Sequence, residues 1–164
     1  MIHQLHHMAF RCRDSEETRA FYEDVIGLPL AAVLELKTSA TGRPIEALHS
    51  FFEIRDGSFL AFFEVPDQPF AFKPQHDFDL HIALTADLAA VQAAVTAARA
   101  RDLEVRGPSD HDFIRSTYFR DPNGYVVELA VPTPRRDEVL SMARGKARAQ
   151  LDAWTERRRD PVAV

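Results

Sequence analysis

Three side chains in this sequence have the types and surroundings to hold a divalent metal: His7, His81 and Glu128. Glu128 is the only charged residue in the strand-forming run Tyr125-Val126-Val127-Glu128-Leu129-Ala130-Val131. A carboxylate among such neighbours is costly unless a cation or several donors compensate it. Successive strand side chains point to opposite faces. In residues 5–12, Met8, Phe10 and Cys12 form the apolar set, so His7, Ala9 and Arg11 face the other way. In residues 79–85, Leu80, Ile82 and Leu84 leave His81, Ala83 and Thr85 on the opposite face. In all three segments the candidate ligand is followed two residues later by alanine. Two imidazoles and a carboxylate with open positions suit a first-row divalent ion, the 2-His-1-carboxylate set of non-haem Fe(II) oxygenases among them. An ion pair of Glu128 with Arg11 or Arg115 would answer the same need without a metal.

The elements that must position these residues come in two similar sets. A strand over 5–12 leads to Asp14 with Glu17 three residues on, a capping-box spacing, and the helix that follows stops at Gly27. Strands are expected at about 30–38, 47–55 and 58–65, separated by turn signals at Thr41-Gly42-Arg43-Pro44 and Asp56-Gly57. After a Pro- and Phe-rich linker, 67–78, the order recurs: a strand over 79–85, a cap candidate at Asp87, a helix over 88–101, and strands at about 103–106, 112–120 and 124–131. The expected architecture is α+β: two tandem βαβββ modules, about 3–66 and 79–132, forming a curved mixed sheet around a cleft. These make a domain over 1–134. A tail over 135–164 forms a C-terminal helix, whose stripe of Leu140, Ala143, Ala147, Leu151 and Trp154 is expected to pack on its own domain or a second subunit.

Bulk properties narrow the function. The 164 residues are 46% hydrophobic and 27% charged, enough for one folded core. The net charge of −5 argues against nucleic acid as partner, and its distribution is uneven: residues 135–164 carry +3 and the rest −8. Cys12 is the single cysteine, so there is no disulfide framework. No apolar run is long enough to span a bilayer. A cytoplasmic protein with no membrane partner is the expectation.

The stretches "LHHMAFRCRDSEETRAFYEDVIGLPL", "DLHIAL" and "YFRDPNGYVVEL" resemble the vicinal oxygen chelate superfamily, which includes glyoxalase I, fosfomycin and bleomycin resistance proteins and type I extradiol dioxygenases. The resemblance covers about residues 3–132. It implies paired βαβββ modules around a cleft, one divalent metal held by His7, His81 and Glu128, and a homodimer. Fe(II) is favoured, and Mn, Ni, Zn or Co would suit the same ligands. The segment "HDFIRSTYFRDPNGYVVE" is similar to the extradiol dioxygenase signature, with His111 and Tyr118 in the places of groups that donate hydrogen bonds to oxygens gaining charge. It departs from that signature at Thr117 and Ser109, and the strand "GSFLAFFEVP" lacks the family's additional histidine, for which His49 is the nearby substitute.

The resemblance thus implies an extradiol-type dioxygenase acting on a catechol-like substrate, aromatic or apolar with adjacent oxygens. One alternative is glyoxalase-like lyase, isomerase or epimerase chemistry. Aligning the Val-Pro endings of the two modules sets Glu64 opposite Ala130 and Phe62 opposite Glu128, which gives Glu64 cleft-facing parity as a general base. The other alternative is a metal-free drug-binding protein of the bleomycin-resistance kind. His49, Phe62 and Arg11 are the candidate substrate contacts.

Overall fold

A computed structural model describes residues 1–159; the last five tail residues, 160–164, lie outside the described residues. The elements run β1 (His7–Cys12), α1 (Ser15–Tyr22), β2 (Leu30–Thr38), β3 (Pro44–Glu53), β4 (Phe59–Glu64), β5 (His81–Thr85), α2 (Leu88–Arg99), β6 (Val105–Asp110), β7 (Ile114–Arg120), β8 (Val126–Pro132) and α3 (Arg136–Arg159). This is the expected tandem of βαβββ modules followed by a helix. The strands form two four-stranded mixed sheets with the same order, β1-β4-β3-β2 and β5-β8-β7-β6. In each module the first strand pairs in parallel with the last.

Local chemistry explains the boundaries. Asp14 caps α1, its carboxylate accepting from the Glu17 amide at 2.8 Å. Asp87 stands at the corresponding position of α2 but makes no side-chain cap hydrogen bond, so the expected cap is absent there. The turn before β8 is built by Asp121, whose Oδ1 accepts from the amides of Asn123 and Tyr125 at 2.9 and 2.8 Å. Gly124 closes it at φ 95°, and a Cβ there would overlap the Lys73 carbonyl, so the turn also fixes the linker.

One core serves both modules. Cys12, Phe21, Tyr22, Phe52, Leu60 and Phe62 from the first join Ile82, Val91, Phe119, Val127 and Leu129 from the second. The Phe10 and Tyr125 rings meet at 5.3 Å, and the Tyr22 hydroxyl donates to Asp121 across the junction at 3.1 Å. Burial pushes the Asp121 carboxyl and the Tyr22 hydroxyl upward from their ordinary ranges, desolvation being the main cause in each. The two sheets therefore back onto common packing through their helix-bearing sides. α3 takes no part in this core. Its Leu151 and Trp154 are 57% and 58% exposed while Leu140 is half-buried, so the far end of the tail stripe does not pack on its own domain, which leaves the second subunit of that expectation open for it. Among the described residues, no helix is long and apolar enough to cross a membrane.

Candidate metal centre

The second sheet brings two of the three expected ligands together. His81 opens β5, and Glu128 lies on the adjacent β8, opposite Ala83 in the register. His81 Nε2 is 3.2 Å from Glu128 Oε2, and the Glu128 side chain is only 6% exposed. Its other oxygen, Oε1, accepts from the Ser116 hydroxyl of β7. His81 Nδ1 lies 2.6 Å from the Asp77 carbonyl in the linker. A carbonyl can only accept, so Nδ1 carries a proton and a neutral ring offers a lone pair at Nε2. A lone pair facing a buried carboxylate oxygen calls for a cation between them, a proton or a metal ion. The donor set and this pairing fit a divalent ion.

Tyr118 pairs with Glu128 across β7 and β8, which places it beside the carboxylate. Its hydroxyl is 3.0 Å from His111 Nε2. His81, Glu128, Tyr118, His111, Arg106 and Phe113 line one open cavity of about 510 Å³. The arginine in it is engaged: Arg106 meets Asp77 with both terminal nitrogens at 2.9 and 3.1 Å and Glu104 through Nε at 3.0 Å. The Arg106 guanidinium holds the Asp77 carboxyl below its ordinary range.

His7 is elsewhere. It lies on the first sheet, exposed, with Nδ1 2.8 Å from that of His6 and its ring 5.9 Å from Phe51 and 6.3 Å from His49. Among the described residues no three His, Cys, Asp or Glu side chains converge to hold an ion. The expected triad is thus not assembled within one chain. The faces that carry His7 in one sheet and His81 with Glu128 in the other point away from the shared core, so the core that joins the modules also separates these side chains.

The first module also corrects the reading of β4. In register, His7 pairs with Phe59 and Ala9 with Ala61, as His81 pairs with Val126 and Ala83 with Glu128. The counterpart of Glu128 is therefore Ala61. The Val-Pro alignment is displaced by one residue, and a shift of one turns every side chain to the other face. Phe62, expected to touch substrate, is fully buried in the core. Glu64, expected as a general base, accepts from the Ser15 amide at 2.8 Å and so serves the start of α1. Phe59 and Phe63 have the parity assigned to Phe62.

Arg11 donates to the carbonyls of Val65 and Gln68 at 3.2 and 2.9 Å, which fastens the linker. Arg115 faces Asp110 at 3.6 Å, so neither arginine neutralises Glu128. His49 stands on the His7 side but is 7% exposed, stacked on Phe63 at 3.6 Å and bonded through Nδ1 to the Phe62 carbonyl. Desolvation lowers its pKa from the ordinary imidazole value. The reading of the sequence missed Ser116, Asp77 and Arg106. The parity of Ser116 with Tyr118 on β7 was a usable signal, whereas nothing in a linker marks which carbonyl will meet a histidine.

The family model described as Glyoxalase/Bleomycin resistance protein/Dioxygenase superfamily matches residues 4–129. No curated protein sequence matches. Among solved structures, the fosfomycin resistance protein FosX from Mesorhizobium loti is 24% identical, with a TM-score of 0.61 over 85% of this chain and 99% of that one. A variant of FosX from Listeria monocytogenes, complexed with Mn(II) and 1S,2S-dihydroxypropylphosphonic acid, is 20% identical, with a TM-score of 0.61 over 84% and 98%. TnmS3, an antibiotic binding protein from Streptomyces sp. CB03234, is 22% identical, with a TM-score of 0.57 over 80% and 98%. At these identities the likeness is one of fold.

Proposed function

Since the chain belongs to the Glyoxalase/Bleomycin resistance protein/Dioxygenase superfamily, we propose that it is a metal-dependent enzyme that cleaves the ring of a catechol-like diol with dioxygen. In this reading it works as a homodimer, each metal site being completed by His7 of a second copy. The observation that carries the reading is the pairing of His81 and Glu128 in one cavity with the His111–Tyr118 couple.

The second copy follows from the placement of the faces. Sheet β1-β4-β3-β2 presents His7 with Phe59, Phe63 and Phe51 on a face that no helix covers among the described residues, while β5-β8-β7-β6 presents His81 and Glu128 on another. A two-fold axis that lays the first sheet of one copy over the second sheet of the other creates two identical sites. Each then has two imidazoles and a carboxylate, and the Phe residues wall the cleft.

A divalent ion held by His81, Glu128 and the second copy's histidine would supply charge stabilisation for a diolate and, if it is iron, the electron relay to dioxygen. The chain's own groups do the rest. Ser116 holds one carboxylate oxygen and leaves the other turned to His81. The His111–Tyr118 couple can accept a diol proton and return it to an oxygen that gains charge. Phe113 and Ile114 make the cavity wall apolar.

Arg106, already paired with Asp77 and Glu104, offers no free cation for a phosphonate. Glu64 is turned to α1, which weighs against the glyoxalase-like base. A metal-free binding role would leave the buried Glu128 carboxylate to the Ser116 hydroxyl and His81 alone. The test is anaerobic loading with Fe(II) followed by oxygen uptake with a panel of catechols. Uptake with a ring-opened product supports the reading; no uptake with iron bound removes ring cleavage. Protein purified without chelator and free of metal would favour the binding role.

A further inference from the structure

We propose that the Arg106–Asp77 ion pair is a positioning device for His81, holding the imidazole in the tautomer and orientation that leave Nε2 free for a metal. This rests on the reading of His81 as a ligand. The sheet gives Glu128 a rigid place, but His81 is the first residue of β5 and follows a linker without regular structure. Its orientation therefore depends on what holds that linker. Asp77, four residues upstream, makes both required contacts. Its carbonyl takes the His81 Nδ1 proton at 2.6 Å, and its carboxylate meets Arg106 in a two-pronged pair at 2.9 and 3.1 Å.

Arg106 is itself immobilised. Glu104 holds its Nε at 3.0 Å, and its guanidinium lies 5.3 Å from the centre of the Tyr118 ring. β6 pairs Arg106 with Tyr118, and β7 pairs Tyr118 with Glu128. The contacts form a closed circuit: Glu128, Tyr118, Arg106, Asp77, His81, and back to Glu128 at 3.2 Å. The geometry of the carboxylate ligand is passed through the sheet to the arginine, and through the ion pair to the imidazole ligand. Without the pair the Asp77 carbonyl is held only by the backbone bonds of the turn at His76 and of Gln75 to Gly124, and His81 is freer to place its proton on Nε2, where it blocks a metal. Each nitrogen of Arg106 already has a carboxylate partner, Asp77 or Glu104, so the residue acts through His81 and not by binding substrate.

The test uses the full-length, metal-free protein labelled with 15N-histidine, with long-range 1H–15N spectra assigned by His81→Gln. Wild type should show His81 as a single tautomer protonated at Nδ1. Arg106→Met and Asp77→Asn should each populate the Nε2-protonated form, and Mn(II) affinity measured by calorimetry should fall about 10–100-fold. The double variant should be no worse than either single one, because both break the same link. Arg106→Lys, which keeps the charge, should be intermediate, and it replaces Arg106→Met if that variant does not fold. An unchanged His81 tautomer with Mn(II) affinity within about twofold of wild type overturns the proposal, as does a wild-type His81 protonated at Nε2. If the tautomer shifts as expected but wild type takes up no divalent metal, the metal reading falls and the positioning role stands.

Discussion

Replacing Glu128 by Gln should reverse the sign of its effect on stability according to whether a divalent metal is present. In the metal-free protein the Glu128 carboxylate has a side chain 6% exposed. Desolvation of such a charge costs several kcal/mol, of which the Ser116 hydrogen bond returns about 1.5–3. A glutamine fits the same contacts. Its oxygen accepts from Ser116, and its amide donates to the His81 Nε2 lone pair, so no partner is orphaned and only the charge is lost. The substitution should therefore stabilise the metal-free protein by about 1–3 kcal/mol, or roughly 2–10 °C in Tm for a chain of this size.

With metal at a thousandfold excess over its Kd, wild type gains about 4.1 kcal/mol that the variant, lacking the anionic ligand, does not. Wild type should then match or exceed the variant. Thermal unfolding of both proteins in chelator and in Mn(II) reads the reversal directly. A variant destabilised equally in both conditions would show that Glu128 is an ordinary structural partner, and the reasoning from a buried uncompensated charge would be wrong.

Other perturbations test the surrounding structure. Because burial raises the folded-state pKa of Asp121, the folded chain keeps this proton at a higher pH than the unfolded chain. Its contribution to stability is full below the unfolded value of ~3.9 and declines as pH rises through the folded one. Asp121→Asn should remove that slope, at most about 1.4 kcal/mol per pH unit, in urea unfolding followed from pH 3 upward; an unaltered slope would assign it to another group. Glu64→Gln should lower stability by about 1 kcal/mol through the α1 start and leave turnover within about twofold of wild type; a large loss of turnover at unchanged stability would return Glu64 to the chemistry.

The parts of the molecule that were legible in the sequence share a physical cause. β1, β5 and β8 each set a polar side chain against an alternating apolar set, so parity placed His7, His81 and Glu128 on faces away from the helices. The Asp14 signal sits in local chemistry that needs no tertiary context. β4 was different. Phe59, Leu60, Ala61, Phe62 and Phe63 are apolar on both faces, so alternation carried no information and a shared Val-Pro ending was followed instead. Only the pairing register with β1 shows Ala61 in the place of Glu128. Whether two modules meet through their ligand faces or their helix faces is likewise invisible in a strand pattern, because both faces are compatible with the same alternation. The Tyr22–Asp121 bond and the Phe10–Tyr125 contact decide it in the folded chain.

The sharing of sites between copies is tested most directly by complementation. His7→Ala and His81→Ala proteins, each inactive alone, are mixed and allowed to exchange subunits. If a site takes His7 from one copy and His81 with Glu128 from the other, half the dimers are mixed and each has one intact site, restoring about one quarter of wild-type metal binding and turnover. Both quantities staying at the level of the separate variants, despite demonstrated exchange, would contradict the account.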